Sequence, residues 1–178
     1  MKLEIKRAFS QRRVILERCL QFFLYETGAD PDFDGLIDYC ESLDRFFDGP
    51  AHIPLFINVD DVIVGIALVK LDRAPAGPDG KTPVPGTNIL DSFFVSRRWR
   101  RKGIGTRAVH MIFDRYAGRW MVTTWPDETR ERFWRKVSGT YERGTSREYA
   151  AGDHKGYPGQ CVWVVEPRAI MHESDVSA

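Results

Sequence analysis

The chain has 178 residues, of which 43% are hydrophobic and 29% charged, a balance that predicts a packed core rather than disorder. That length suits one domain and leaves little room for two. Its 26 lysines and arginines are matched by 25 acidic residues, and the resulting net charge of +1 argues against a surface built to grip long nucleic acid.

Composition also bears on the cellular compartment. No apolar stretch approaches the roughly 20 residues that a membrane span needs. The amino terminus, MKLEIKRAF, lacks the apolar core of a signal peptide. The three cysteines, Cys19, Cys40 and Cys161, are far apart and lie among apolar residues. We therefore expect a cytoplasmic protein with no membrane partner, whose cysteines act as small buried hydrophobes.

The hydrophobic pattern predicts eleven elements. In chain order these are a strand at 2–8, helices at 14–26 and 35–47, strands at 53–59, 62–71 and 88–95, a helix at 104–117, a strand at 119–125, a helix at 128–137 and closing strands at 141–150 and 159–166. Ser10 is placed to cap the first helix, and Asp60-Asp61 to form a two-residue hairpin turn. Residues 72–87 hold four prolines and predict a long loop near a site. The order βααβββαβαββ indicates one mixed α/β domain over residues 1–178.

A basic run, RRWRRKGIGTR at 97–107, lies between a predicted buried strand and a predicted helix. Glycines at 103 and 105 allow several N–H groups to turn inward, and the helix adds unpaired N–H groups and the positive end of its dipole. Arg100, Arg101 and Lys102 add charge at the rim. This arrangement predicts a site for a pyrophosphate rather than for a nucleic-acid duplex.

The spacing Val95-x4-Arg100-x-x-Gly103-x-Gly105 resembles the acyl-CoA signature of the GNAT superfamily, the Gcn5-related N-acetyltransferases. The order of elements resembles that fold along the whole chain. The resemblance implies a central, twisted, mixed and mostly antiparallel sheet flanked by helices. It also implies transfer of an acetyl group from acetyl-CoA to an amine by direct attack, with no metal and with a possible homodimer.

The same resemblance implies the donor site. Backbone N–H groups from Arg101 to Thr106 would hold the pyrophosphate, and the exposed backbone of Phe94 and Val95 would pair with the pantetheine arm. The Val95 amide would polarise the thioester carbonyl. The expected acetyl-CoA-binding residues are Phe94, Val95, Arg100, Arg101, Lys102, Gly103, Ile104, Gly105 and Thr106. The four histidines show no metal-ligand spacing.

Asp91 is the candidate catalytic residue. It interrupts an apolar strand four residues before Val95, where many family members place an acid that takes the proton of the attacking amine. The alternative is a structural acid at a strand end, hydrogen-bonded to a neighbouring loop.

The second family motif, usually Asn-x-x-Ala-x-x-hydrophobic-Tyr, is altered to DETRERFW at 127–134. Asp127 takes the position of the asparagine and is expected to cap a helix. Trp134 takes the position of the tyrosine that would protonate the leaving thiolate, and an indole N–H is too weak an acid for that role. Either Tyr141, the nearest tyrosine downstream, serves instead, or the thiolate leaves unassisted.

Acidic residues mark the second predicted helix: Asp34, Asp38, Glu41 and Asp48 lie near one face, after Asp30 and Asp32. They would attract a cationic amine if that helix borders the acceptor site, as it tends to in this fold. The simpler interpretation is a solvated helix face. His52 and Cys40 are expected to be structural, and the aromatic residues Phe22, Phe23, Phe46 and Phe47 are expected in the core.

Three alternatives remain at this point. Gly103-x-Gly105-x-x-Ala108 also fits a relaxed dinucleotide fingerprint with Asp127 or Glu128 as the ribose acid, although seven residues separate Val95 from the first glycine. A GNAT-fold protein that binds acyl-CoA as a sensor or scaffold is the second alternative. Nucleic-acid binding through the basic run is the third, and it predicts a steep salt dependence. The acceptor would be a small-molecule amine, a peptide N-terminus or a protein lysine.

Overall fold

A computed structural model describes residues 1–31, 35–37 and 43–167. Seven strands form one sheet: β1 Leu3–Arg7, β2 His52–Val59, β3 Val62–Arg73, β4 Thr87–Val95, β5 Arg119–Thr124, β6 Gly144–Tyr149 and β7 Cys161–Pro167. Their order across the sheet is β1-β2-β3-β4-β5-β7-β6. Neighbouring strands are antiparallel except β4 and β5, which run parallel. The predicted mixed, mostly antiparallel sheet is confirmed, and the doubly wound parallel sheet of a dinucleotide-binding fold is excluded.

Helices flank the sheet at α1 Arg13–Glu26, α2 Arg45–Asp48, α3 Ile104–Arg115 and α4 Glu128–Gly139. The observed order of strands and helices is the predicted βααβββαβαββ. Within the described ranges, none of these helices has both the length and the apolarity needed to cross a bilayer.

Two apolar cores lie on opposite faces of the sheet. The larger core packs α3 and α4, through Ile112 and Val137, against Trp120 of β5 and Trp163 of β7. The smaller core packs Leu16 and Leu20 of α1 and Phe46 of α2 against Phe56, Ile66, Leu68 and Phe94. Side chains of one strand alternate between these faces, so each position in β3, β4 and β5 can be assigned to the α1 side or to the α3 side.

The hairpin between β2 and β3 turns at Asp60 and Asp61, as predicted. Both residues have left-handed backbone, with φ of 46° and 65°. A two-residue turn with positive φ at both positions matches the right-handed twist of the flanking strands, and aspartate tolerates that conformation. The hairpin therefore places β3 antiparallel beside β2.

The contact between β4 and β5 is short. Register pairs join only Thr87 to Arg119, Asn88 to Trp120 and Ile89 to Met121. Beyond these pairs the two strands diverge, and a gap opens toward their carboxyl ends. Because α3 begins just after β4 ends, the first turn of α3 lies at the open end of this gap.

Two expectations for the first helix were wrong. Ser10 does not cap α1: it begins a short 3-10 turn, and the N-cap is Arg12, without a side-chain cap. Phe22 is 64% exposed rather than buried, because Leu16 and Leu20 define the buried stripe and Phe22 lies on the opposite side of the helix.

The second predicted helix is shorter than expected in its described part. Only Arg45–Asp48 forms α2, and residues 38–42, with Cys40, lie outside the described residues. Ile37 lies before them, and its backbone N–H and C=O both bond the Gln21 side chain at 2.9 Å. Phe46 is buried as predicted, and His52 packs against its ring edge at 5.2 Å.

Helix α4 has the predicted cap. The Asp127 carboxylate accepts a hydrogen bond from the Arg130 backbone N–H at 2.8 Å. Replacing Asp127 with alanine is expected to lower the free energy of unfolding by about 1 kcal/mol, because one N–H at the start of the helix loses its acceptor. Urea unfolding measures this loss. Glu128→Ala is the matched control: this exposed acid pairs on the surface with Arg132, and its loss should cost less than about 0.5 kcal/mol. Equal losses in the two variants would show that the cap contributes nothing of its own.

Candidate active site

The turn between β4 and α3 presents main-chain N–H groups at the open end of the gap. Arg101 and Gly103 both have left-handed backbone, with φ of 61° and 74°. Gly103 is the N-cap of α3, and no described side chain caps that helix. The N–H groups of the first turn of any helix have no acceptors within the helix, and here no side-chain cap replaces them. They point outward with the positive end of the helix dipole. This geometry fits a phosphate group.

The basic run divides into side chains that fasten the turn and side chains at its rim. Arg97 Nε lies 3.2 Å from Glu26 Oε1 at the end of α1, and the Arg100 guanidinium pairs with the same carboxylate. Arg101 and Lys102 are exposed. Arg97 and Arg100 therefore tie the turn to α1. Arg101 and Lys102 leave positive charge beside the uncapped helix.

The edge of β4 that faces the gap offers backbone hydrogen-bonding groups. Ser96 N–H donates to the Val64 carbonyl at 2.8 Å on the β3 side. Backbone groups of an antiparallel pair alternate in direction, so Phe94 also bonds toward β3, whereas Phe93 and Val95 direct theirs into the gap. The Val95 carbonyl accepts a hydrogen bond from Arg100 Nε at 2.6 Å. The backbone groups of Phe93 and the N–H of Val95 therefore line the gap, whereas the backbone groups of Phe94, predicted to lie on this edge, face β3.

Contacts with β4 and α4 hold the first turn of α3 in place beside the gap. Phe93 stacks on Phe133 of α4 with ring centroids 5.8 Å apart. A Cβ atom at Gly105 would lie 3.0 Å from the Phe133 ring, and Ile104 is buried in the core. Thr106 is half-buried one residue further along. Glycine at 105 therefore lets α4 approach the start of α3 closely.

Asp91 lies at an irregularity of β4. The register of β3 against β4 shifts between Leu68 and Val69, and Asp91 is the extra residue of this β-bulge. Its Oδ1 lies 2.5 Å from Lys70 Nζ, and the two side chains are only 20% and 16% exposed. Lys70 shares the face of Leu68, so the bulge directs the Asp91 carboxylate to the α1 side of the sheet.

The two residues considered for thiolate protonation lie away from this carboxylate. Trp134 is 8% exposed and packs in the larger core against Phe93 and Phe133. The Tyr141 hydroxyl donates to Asp114 at 2.9 Å, and burial followed by this hydrogen bond raises the pKa of Tyr141 to about 12. Asp114 lies nine residues, or about 14 Å along the helix, beyond Gly105. Tyr141 thus lies at the end of α3 remote from the uncapped turn.

The connection between β6 and β7 supplies two residues that the sequence analysis missed. His154 is 2% exposed, and its ring lies 5.1 Å from Tyr149 and 5.4 Å from Tyr157. Burial lowers the pKa of His154 and raises the pKa of Tyr157, on which the charge of Lys70 acts in the opposite direction. The sequence does contain a pattern that could have pointed to these two residues. They are a histidine and a tyrosine in a loop otherwise rich in glycine, GDHKGYPGQ at 152–160.

The acidic cluster predicted around the second helix cannot be assembled from the described residues. Asp32, Asp34, Asp38 and Glu41 lie outside them, while Asp30 and Asp48 are exposed. The attraction of a cationic amine by these acids stays a prediction.

The uncapped start of α3 beside the diverging strands β4 and β5 is the arrangement that the basic run and its glycines predicted. Residues 15–140 match the acetyltransferase (GNAT) family. The chain therefore belongs to this family and is an N-acetyltransferase. Among curated proteins, no relative was found.

Solved structures show the same fold. An acetyltransferase from Thermus thermophilus matches with a TM-score of 0.63 and 15% identity, over 94% of this chain and 98% of that one. The aminoglycoside acetyltransferase AAC(6')-Ib, in complex with coenzyme A and kanamycin, matches with a TM-score of 0.60 and 14% identity, over 94% and 95%. An Arabidopsis thaliana protein in complex with the bisubstrate analogue CoA-Ac-MVNAL matches with a TM-score of 0.56 and 11% identity, over 94% and 100%. At these identities the likeness establishes the fold.

Proposed function

We propose that the protein binds acetyl-CoA in the gap between β4 and β5 and transfers its acetyl group directly to a primary amine. The observation that carries this proposal is the uncapped start of α3 at the open end of a gap into which the N–H groups of Phe93 and Val95 face. The first feature suits the pyrophosphate, and the second suits an extended chain bearing amides, which pairs with a strand edge as another strand would. The non-glycine residue Arg101 in a left-handed conformation supports a functional turn, since such strain concentrates at ligand sites.

In this proposal the transfer needs one proton acceptor and one group that stabilises negative charge. The amine nitrogen attacks the thioester carbonyl, a C–N bond forms, the C–S bond breaks, and the sulfur leaves as a thiolate. The proton of the amine passes to the Asp91 carboxylate, directly or through water. The Val95 N–H faces the gap, and in this proposal it stabilises the carbonyl oxygen as that atom gains charge. The thiolate leaves unassisted, because thiols ionise near neutral pH.

A titration with acetyl-CoA tests the donor site. We expect saturable heat of binding for the wild type and an affinity at least about tenfold lower for Gly103→Glu/Gly105→Glu, because two carboxylates and a strained backbone replace the anion site. The matched control is Gly49→Glu/Gly139→Glu, which makes the same change in charge where an added Cβ meets no atom within 4 Å. This control should bind like the wild type. Absence of binding by the wild type would overturn the donor site and favour a nucleic-acid partner for the basic run.

The second candidate function is an acyl-CoA sensor or scaffold without turnover. It is favoured by one observation, the buried Trp134 at the position where the family motif has its tyrosine. The two functions differ in thiol release. A sensor would bind acetyl-CoA, and its affinity would fall in Gly103→Glu/Gly105→Glu just as for an enzyme, but it would release no free thiol with any amine.

A further inference from the structure

A cavity of about 510 Å³ lies between the proline-rich loop after β3 and the α1-side face of β5, β6 and β7. Its volume is that of a small-molecule site. It is separate from the turn at the start of α3, and none of the residues predicted to bind acetyl-CoA lines it.

One row of residues crosses the sheet beneath this cavity. Cross-strand register aligns Arg147 of β6 with Val164, Val164 with Met121, Met121 with Ile89, and Ile89 with Lys70 of β3. Arg147, Val164 and Met121 line the cavity. Four strand spacings separate the Cα atoms of Arg147 and Lys70 by about 19 Å, and the two long side chains occupy part of that span. The row therefore has a cation at one end, an apolar floor and the Lys70–Asp91 pair at the other end.

The same row lies at the closed end of the gap. Ile89 and Met121 form the last pair between β4 and β5 before the strands diverge. A chain that enters the gap at α3 and follows the edge of β4 ends beside this pair. The cavity covers the row from Arg147 to Met121. A molecule that lies there with one end at Arg147 would thus direct its other end along the row, toward the closed end of the gap.

The charge of the cavity is positive. Arg119 Nε lies 2.5 Å from Glu166 Oε1, so these two lining residues offset each other. Arg147 donates a hydrogen bond to the Tyr149 hydroxyl at 3.3 Å. Among the described residues no carboxylate lies within ion-pair distance of Arg147, and the charge of Glu166 acts on it only from farther away. An arginine with unused donors fits a carboxylate or phosphate, which it binds through two parallel hydrogen bonds.

His154 gives an independent sign of a polar ligand. It lines the cavity and is 98% buried, and its Nδ1 has no hydrogen-bond partner in the described part of the chain. A buried polar atom without a partner is costly unless a ligand or water supplies one. Burial lowers the pKa of His154 and so favours the neutral ring, which can share a hydrogen bond with a polar ligand.

We propose that this cavity is the acceptor site, and that it takes a small primary amine carrying a carboxylate or phosphate at the end opposite the amine. Arg147 holds the anionic end, the apolar floor holds the linking carbons, and the amine reaches Asp91 at the gap. The inference rests on the proposed acetyl transfer and adds the acceptor class. It disfavours polycationic acceptors, because Arg147 would repel a second amine.

Matched amine pairs test the inference. Thiol release at saturating acetyl-CoA is measured with 6-aminohexanoate against hexylamine, and with O-phosphoethanolamine against ethanolamine. We expect kcat/KM to be at least about tenfold higher for the anionic member of one pair or both, and the pair that shows this preference distinguishes carboxylate from phosphate. Arg147→Gln is expected to remove most of that preference, because kcat/KM should fall for the anionic amine and stay the same for the neutral amine. Arg132→Gln, on the exposed surface of α4, is the control and should keep the preference.

Two results would overturn the acceptor class: equal or better use of the neutral amines, or an equal loss for both members of a pair in Arg147→Gln. If no amine is turned over, the binding of each anionic amine is measured instead, by following the NMR chemical shifts of the His154 ring during a titration. Absence of a saturable chemical-shift change overturns the inference. The proposed function fails separately, through absence of acetyl-CoA binding in the calorimetric titration. Binding and turnover without an anion preference would therefore refute only the acceptor class.

Discussion

Replacing Asp91 with asparagine is expected to lower kcat for amine acetylation by about 10²–10⁴, the usual contribution of a positioned proton acceptor. An amine attacks only when neutral, and an alkyl amine with a pKa near 10 is almost fully protonated at pH 7. Asparagine keeps the size of the side chain at the β-bulge and removes the proton-accepting charge. The measurement is the rate of thiol release with the best acceptor of the amine panel.

A pH profile separates the chemical role of Asp91 from a structural one. As the pH rises toward the pKa of the amine, the neutral fraction grows and the need for a proton acceptor falls. The deficit of Asp91→Asn should therefore shrink with rising pH. A deficit that stays constant from pH 6 to pH 10 would show that Asp91 acts only through its ion pair with Lys70. Unchanged acetyl-CoA binding in the calorimeter is the control for an intact donor site.

Gly65→Ala is expected to destabilise the protein by at least about 3 kcal/mol. Gly65 of β3 lies opposite Val95, and a Cβ atom there would lie 2.1 Å from the Phe94 carbonyl oxygen and 3.1 Å from the Val95 Cα. Both are backbone atoms, so no side-chain rotation relieves the clash, and the close-packed sheet on either side resists a shift of β4. Acetyl-CoA affinity should fall as well, since the displaced segment includes the edge of β4 that faces the gap.

Chemical unfolding of Gly65→Ala beside Gly49→Ala measures this cost. Gly49 has extended backbone, with φ of −151° and ψ of 165°, and an added Cβ there meets no atom within 4 Å. The control substitution should be neutral or slightly stabilising, because it reduces the conformational freedom of the unfolded chain. A loss below about 1 kcal/mol in Gly65→Ala would mean that β4 has room to move, and that its edge is less rigid than the proposed donor site requires.

Local patterns were enough to predict most of the fold. The change from helical to alternating periodicity, the Asp60-Asp61 turn and the glycines at 103 and 105 are each visible within a few residues of sequence, and so are their structural results. The start of α1 was less predictable. Ser10 is a good capping residue in isolation, yet the chain continues through another turn before the helix begins.

The site was less predictable than the fold because it depends on register. Asp91 stood out from its apolar neighbours in sequence, but its pairing with Lys70 depends on a bulge that no local pattern encodes. The row from Arg147 to Lys70 crosses five strands, and its two ends are 77 positions apart in the sequence. His154 is likewise brought over the cavity only when the loop after β6 folds back against the loop after β3, where Lys155 N–H donates to the Pro78 carbonyl at 3.0 Å.

The two proposed halves of the active site differ in what they are made of. The donor half consists mainly of peptide groups, namely the start of α3 and the edge of β4, and a peptide group survives almost any substitution of its side chain. The acceptor half consists of side chains on β5, β6 and two loops, each replaceable one at a time. Evolution can therefore change the amine that such an enzyme accepts without altering its acyl-CoA-binding site, provided that a few glycines are kept. Mutagenesis aimed at a new acceptor would accordingly start at Arg147 and leave the turn after β4 untouched.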